Sequence, residues 1–158
     1  MVVHSINKNR AIYQKQASAG RSALAGVWLD ENRILNGFSD GNIEIRDTSS
    51  APSRAPVILP QVTHHDIFQM RLEVFARADQ HILVAEVSSA DKIDLYVYHG
   101  QNFQNQIKLS DRLQTSDPLF LGTFGLFMLH EKYHTLQSLK FSTDQEFLGL
   151  MTTQATQG

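Results

Sequence analysis

Apolar and polar positions along this chain alternate with a period of two over several short runs, and polar turn signals separate the runs. Between Leu24 and Asp47 there are three such runs, about 24–28, 33–38 and 42–47, divided by Asp30-Glu31-Asn32 and by Ser39-Asp40-Gly41. An Asp-Gly pair between alternating runs is a strong hairpin signal, because a tight turn needs a residue that accepts positive φ. In the third run Ile43 and Ile45 fall on one face, and Glu44 and Arg46 fall on the other. That is the pattern of a strand with one apolar face, so the stretch predicts three antiparallel strands. A Ser/Pro-rich loop covers 48–56, and Val57-Ile58-Leu59 predicts a short fourth strand ended by Pro60. Proline on both sides suits an edge position, where the missing N–H costs no ladder bond.

The same order returns further on. Residues 67–75 place Phe68, Met70, Leu72 and Val74 on one face, and Arg77–Gln80 predicts a turn before the apolar run 82–87. Ser88–Asp91 turns the chain again into 92–98, where Ile93, Leu95 and Val97 oppose Asp94, Tyr96 and Tyr98. A further turn at 100–102 leads to a strand over 105–109. Trp28 and Phe75 stand 47 positions apart, and Ile43 and Ile93 stand 50 apart. Both spacings match the roughly 40–50-residue period of four-stranded propeller blades. A partial third copy, strand–turn–strand, is predicted over 136–151. Residues 110–135 are irregular, and both two short strands and an inserted helix fit 118–134. Short runs at 2–4 and 11–14 predict an N-terminal hairpin. The chain therefore divides into a partial unit at about 1–16, units at 22–60 and 66–110, an irregular stretch at 111–135 and a partial unit at 136–152. All of them fall in one domain, 1–158.

Three local features resemble the WD-repeat propeller family. Ser39-Asp40-Gly41-Asn42-Ile43 is similar to the tight turn between the second and third strands of a blade. Arg46-Asp47 stands where the family has Trp-Asp, and Phe141-Ser142-Thr143-Asp144 is similar to the first inter-strand turn. The resemblance implies an all-β fold of about three to four propeller-like four-stranded blades. It gives Asp40, Gly41 and Asp144 structural turn roles, with the carboxylate bonding backbone N–H groups as in Asx turns. The chain departs from the family in having no Gly-His pair ahead of a repeat and no blade-ending Trp. Propellers close with typically four to eight blades, so the resemblance also implies a ring completed by oligomerisation or by a partner. Closure is expected to pair 136–151, as the first two strands of a blade, with the hairpin 2–14 as its last two. An ordinary β-sandwich is the alternative fold, since its short alternating strands read the same way.

Composition narrows the function classes. Hydrophobic residues make up 42% of the 158, enough apolar material for one core. The formal net charge is −2, and no Lys/Arg run exists to attract nucleic acid or an anionic membrane. The absence of Cys excludes disulfides, thiol catalysis and Cys-ligated zinc. The N-terminal residues contain no apolar run of signal-peptide length, and the longest apolar run, Pro118–Leu129, is too short to span a bilayer. A soluble, intracellular, cytoplasmic protein is the expectation.

Candidate chemistry is sparse. His130-Glu131-Lys132-Tyr133-His134 matches H-E-x-x-H. On a helix His130 and His134 would grip one zinc ion, with Glu131 as the general base. No third-ligand pattern follows it. His64-His65-Asp66 lies on a predicted loop, and adjacent histidines on an extended chain point opposite ways. His64 and His65 therefore read as turn or contact residues. Tyr96 and Tyr98, opposite the aliphatic stripe, fit either an interaction surface or packing between units. There is no G-x-S-x-G elbow, P-loop or dinucleotide fingerprint. The expected function is a non-catalytic protein-interaction scaffold with a protein partner and no cofactor, and homo-oligomerisation is compatible with it. The alternative is a zinc-dependent hydrolase built on 130–134.

Overall fold

The computed structural model describes residues 2–5, 10–14, 20–51, 54–63, 66–77, 80–122, 125–130, 135–141 and 150–157. They form an all-β protein of antiparallel sheets. An N-terminal hairpin pairs β1 (Val2–Ser5) with β2 (Arg10–Gln14). Three four-stranded meanders follow in sequence order. The first contains β3 (Ala23–Trp28), β4 (Arg33–Phe38), β5 (Ile43–Asp47) and β6 (Val57–Ile58). The second contains β7 (Gln69–Arg77), β8 (Gln80–Ser88), β9 (Ile93–His99) and β10 (Asn105–Lys108). A short helix, α1 (Leu109–Leu113), leads into the third sheet. That sheet contains β11 (Leu119–Gly122), β12 (Gly125–His130), β13 (Thr135–Phe141) and β14 (Leu150–Gln157).

The C-terminal strands are grouped differently from the sequence-based expectation. Residues 111–135 and 136–152 are not an irregular stretch and a partial unit, because 119–157 is one complete meander. Thr135–Phe141 is its third strand, so Phe141 ends a third strand rather than a first, and Ser142 and Thr143 lie outside the described residues. Asp144 itself lies outside the described residues. The reason is visible in the packing. Leu119, Leu121, Leu126 and Met128 enter the core, but the intervening Phe120 and Phe127 are also apolar and stack with ring centroids 5.9 Å apart. A strand that is apolar on both faces shows no alternation. The expected closure of 136–151 on 2–14 is not made within the chain: among the described residues β1 and β2 pair only with each other.

The core lies in two layers. One cluster gathers Leu35, Ile43 and Ile45 of the first sheet with Met70, Leu72, Leu83, Ala85, Val87, Tyr96 and Tyr98 of the second. The other gathers Ile82, Val84, Leu95 and Val97 of the second sheet with Leu119, Leu121, Leu126, Met128 and Leu139 of the third. Odd and even positions of β8 and β9 thus enter opposite clusters, and the middle sheet is buried on both faces. That explains why β8 reads as an unbroken apolar run. Gly37 makes the first interface close, since a Cβ there would lie 2.1 Å from the Met70 sulfur.

Polar groups fix the register between sheets. The Tyr98 hydroxyl donates to the Pro60 carbonyl at 3.0 Å and accepts from Gln106 Nε2 at 2.9 Å, tying the end of the first sheet to the second. Arg71 Nη1 donates to the Leu121 carbonyl at 2.6 Å, and the Leu121 N–H donates to Glu86 Oε2 at 2.6 Å. Because β11 is the edge of the third sheet, these two side chains supply the donor and acceptor that a neighbouring strand would have provided. On the far face of the first sheet, buried Glu44 lies between Arg21 at 2.8 Å and Arg46 at 3.3 Å. The Arg21 guanidinium also covers the Phe38 ring at 3.7 Å. A buried carboxylate is tolerable only with such partners. Among the described residues no helix is long and apolar enough to cross a membrane.

Candidate interaction site

The turns that join second to third strands begin the site. In the first sheet, Asn42 donates its N–H to Asp40 Oδ1 at 3.0 Å and its side-chain amide to Asp40 Oδ2 at 2.8 Å. Gly41 takes φ +84° beside them, and a Cβ there would come within 2.6 Å of the Val62 carbonyl oxygen. The corresponding turn of the second sheet closes by Ser89 N–H to the Lys92 carbonyl at 3.0 Å, with the Ser89 hydroxyl donating to Asp91 Oδ1 at 2.9 Å. Both turns use an acidic side chain to satisfy nearby donors.

Next to the second of these turns, a cavity of about 780 Å³ opens between the second and third sheets. One wall comes from the turn and the start of β9. The other comes from the connection 110–118, where Gln114 takes φ 51° to end α1 and the Asp117 N–H caps back to the Thr115 hydroxyl at 3.1 Å. Leu109, only 1% exposed, anchors this connection in the core. Asp94 sits in the wall, with Lys92 Nζ 3.3 Å and Lys108 Nζ 3.6 Å from its Oδ2. The bond to Asp94 raises the Lys92 ammonium above its ordinary range. Asp91 and Asp117 also line the space, so three carboxylates stand against two ammoniums and no strong field of one sign develops.

The mouth is apolar. Phe68 is 62% exposed and Ile93 49%, two of the five large hydrophobic side chains that stand most open among the described residues. Both follow from how the stripes end. Met70 and Leu72 are buried while Phe68, one step outside β7, is not; Leu95 and Val97 are buried while Ile93, first in β9, is not. The alternation that predicts a buried face carries two residues past the edge of the core. Sequence reasoning placed both in buried stripes, and no local signal marks where the neighbouring sheet stops. The lining contains hydroxyls, carboxylates and ammoniums but no His or Cys. It can hold an apolar side chain and make hydrogen bonds around it.

The other sequence-selected residues lie elsewhere. Tyr96 and Tyr98 do not form a surface: they are 1% and 0% exposed, in the core between the first and second sheets. Burial raises both phenols above their ordinary range. Their face opposes an apolar sheet rather than water. His130 ends β12 and pairs with Thr135, so it has strand rather than helical backbone. Glu131 and His134 lie outside the described residues, as do His64 and His65. Among the described residues, no group of three His, Asp or Glu side chains is arranged as a metal ion would need. No protein-family model matches the chain, and no curated protein matches its sequence.

Proposed function

We propose that this chain is a non-catalytic protein-interaction module made of propeller-like stacked sheets, and that a partner protein meets it at the cavity between the second and third sheets. Face-to-face four-stranded meanders in sequence order are the building unit of propellers, which supports the propeller-like reading. The observation that carries the functional reading is the pairing of exposed Phe68 and Ile93 at the mouth of a cavity of about 780 Å³. Rigid sheets hold the loops around it, and loops on rigid scaffolds commonly carry recognition. An apolar pocket with convergent polar groups is the usual form of a binding site, and apolar anchors seated in such pockets dominate interface energies.

The test uses peptide selection. Peptides enriched from a random displayed library on the wild-type protein are titrated by fluorescence polarisation against Phe68→Ser/Ile93→Ser. Affinity is expected to fall at least about tenfold, the loss of about 1.4 kcal/mol. The unfolding free energy is expected to move by no more than about 0.5 kcal/mol, because both sites are exposed. Peptides that bind the variant as well as the wild type, or a selection that enriches nothing, would remove the cavity as the partner site. Stoichiometric zinc in the purified protein, lost on His130→Ala, would assign a metal centre to 130–134 instead.

A further inference from the structure

We draw no further inference here: the strongest candidate, the depression of about 190 Å³ beside the β5–β6 connection that Arg33 and Arg54 of the first sheet line together with Asn102 of the second, carries nothing because Asp47 lines it as well and Asp30 holds the Arg33 guanidinium at 2.6 Å, so that its charges offset one another and select no class of ligand.

Discussion

Replacing Glu86 with Ala should loosen the third sheet more than replacing Arg71 with Ala. The Glu86 carboxylate accepts the Leu121 N–H at 2.6 Å and its side chain is 12% exposed, while Arg71 is 39% exposed. Leu121 is itself buried. Without Glu86 its edge N–H loses its acceptor beside a buried side chain, and a buried unsatisfied donor costs about 1–3 kcal/mol. A hydrogen bond to a charged group has a similar net worth, and the two describe one loss rather than two. A cost of about 2–3 kcal/mol follows for Glu86→Ala. Glu86→Gln keeps an acceptor oxygen and should cost about 1 kcal/mol. Arg71→Ala frees a carbonyl that water can reach through the space left, so about 1 kcal/mol is expected there too. The direct attraction between the two side chains contributes little, because Nη1 and Oε1 are 4.0 Å apart and Arg71 is well solvated. A double-mutant cycle should therefore return a coupling below about 1 kcal/mol. Urea unfolding at neutral pH measures all four states, and hydrogen exchange at the Leu121 amide reports the local event. Equal costs for the two alanine variants would refute the reasoning. So would a Glu86→Ala cost under about 0.5 kcal/mol, which would put it among unremarkable surface changes.

Three further outcomes follow from the same geometry. Gly41→Ala should lose about 2 kcal/mol in urea unfolding, since the position has φ +84° and its Cβ would meet the Val62 carbonyl oxygen at 2.6 Å. Leu83→Ala, at a fully buried position of the middle sheet, should cost about 2–5 kcal/mol. Tyr98 should make the fold sensitive to alkali. Burial holds its phenol well above the ordinary 10.0, so the unfolded chain loses this proton first. The stability it contributes is intact below the unfolded value and declines as pH rises past it, by up to about 1.4 kcal/mol per pH unit. Urea midpoints on both sides of that value should show the decline, and Tyr98→Phe should flatten it, leaving the smaller part that Tyr96 adds.

Legibility in the sequence followed the number of apolar faces each strand has. β5 alternates Ile43 and Ile45 with Glu44 and Arg46, because one face meets the second sheet and the other carries the Arg21–Glu44–Arg46 ion pairs. Its limits and its pairing with β4 could be read from the pattern and from the Asp40-Gly41 turn. β11 and β12 carry apolar residues on both faces, so their period vanished and the third meander was divided wrongly. The two glycines at 122 and 125 bracket the connection and pair across the hairpin, a signal that outweighs the missing alternation once both are seen. The order of the sheets in the stack was not legible. No local feature says which turn of which meander lies beside a neighbour.

The candidate site was hidden for a related reason. A period of two tells which residues share a face but not how far along the strand that face stays covered. Met70 and Phe68 have the same parity, as do Leu95 and Ile93, yet only the inner member of each pair has a sheet laid over it. The length of overlap depends on the neighbouring meander, which enters from residues 109–122 on one side and from 23–48 on the other. Tyr96 and Tyr98 show the converse: polar-tipped residues that looked like a surface are buried, because a neighbouring sheet covers them and Pro60 and Gln106 satisfy the Tyr98 hydroxyl. In a stack of sheets, recognition residues are therefore best sought where a buried stripe overruns its neighbour. Phe68 and Ile93 overrun at the same end, on either side of β8 and beside a cavity, and that coincidence of position distinguishes them from Val57 and Ile58 on the first sheet's short edge strand.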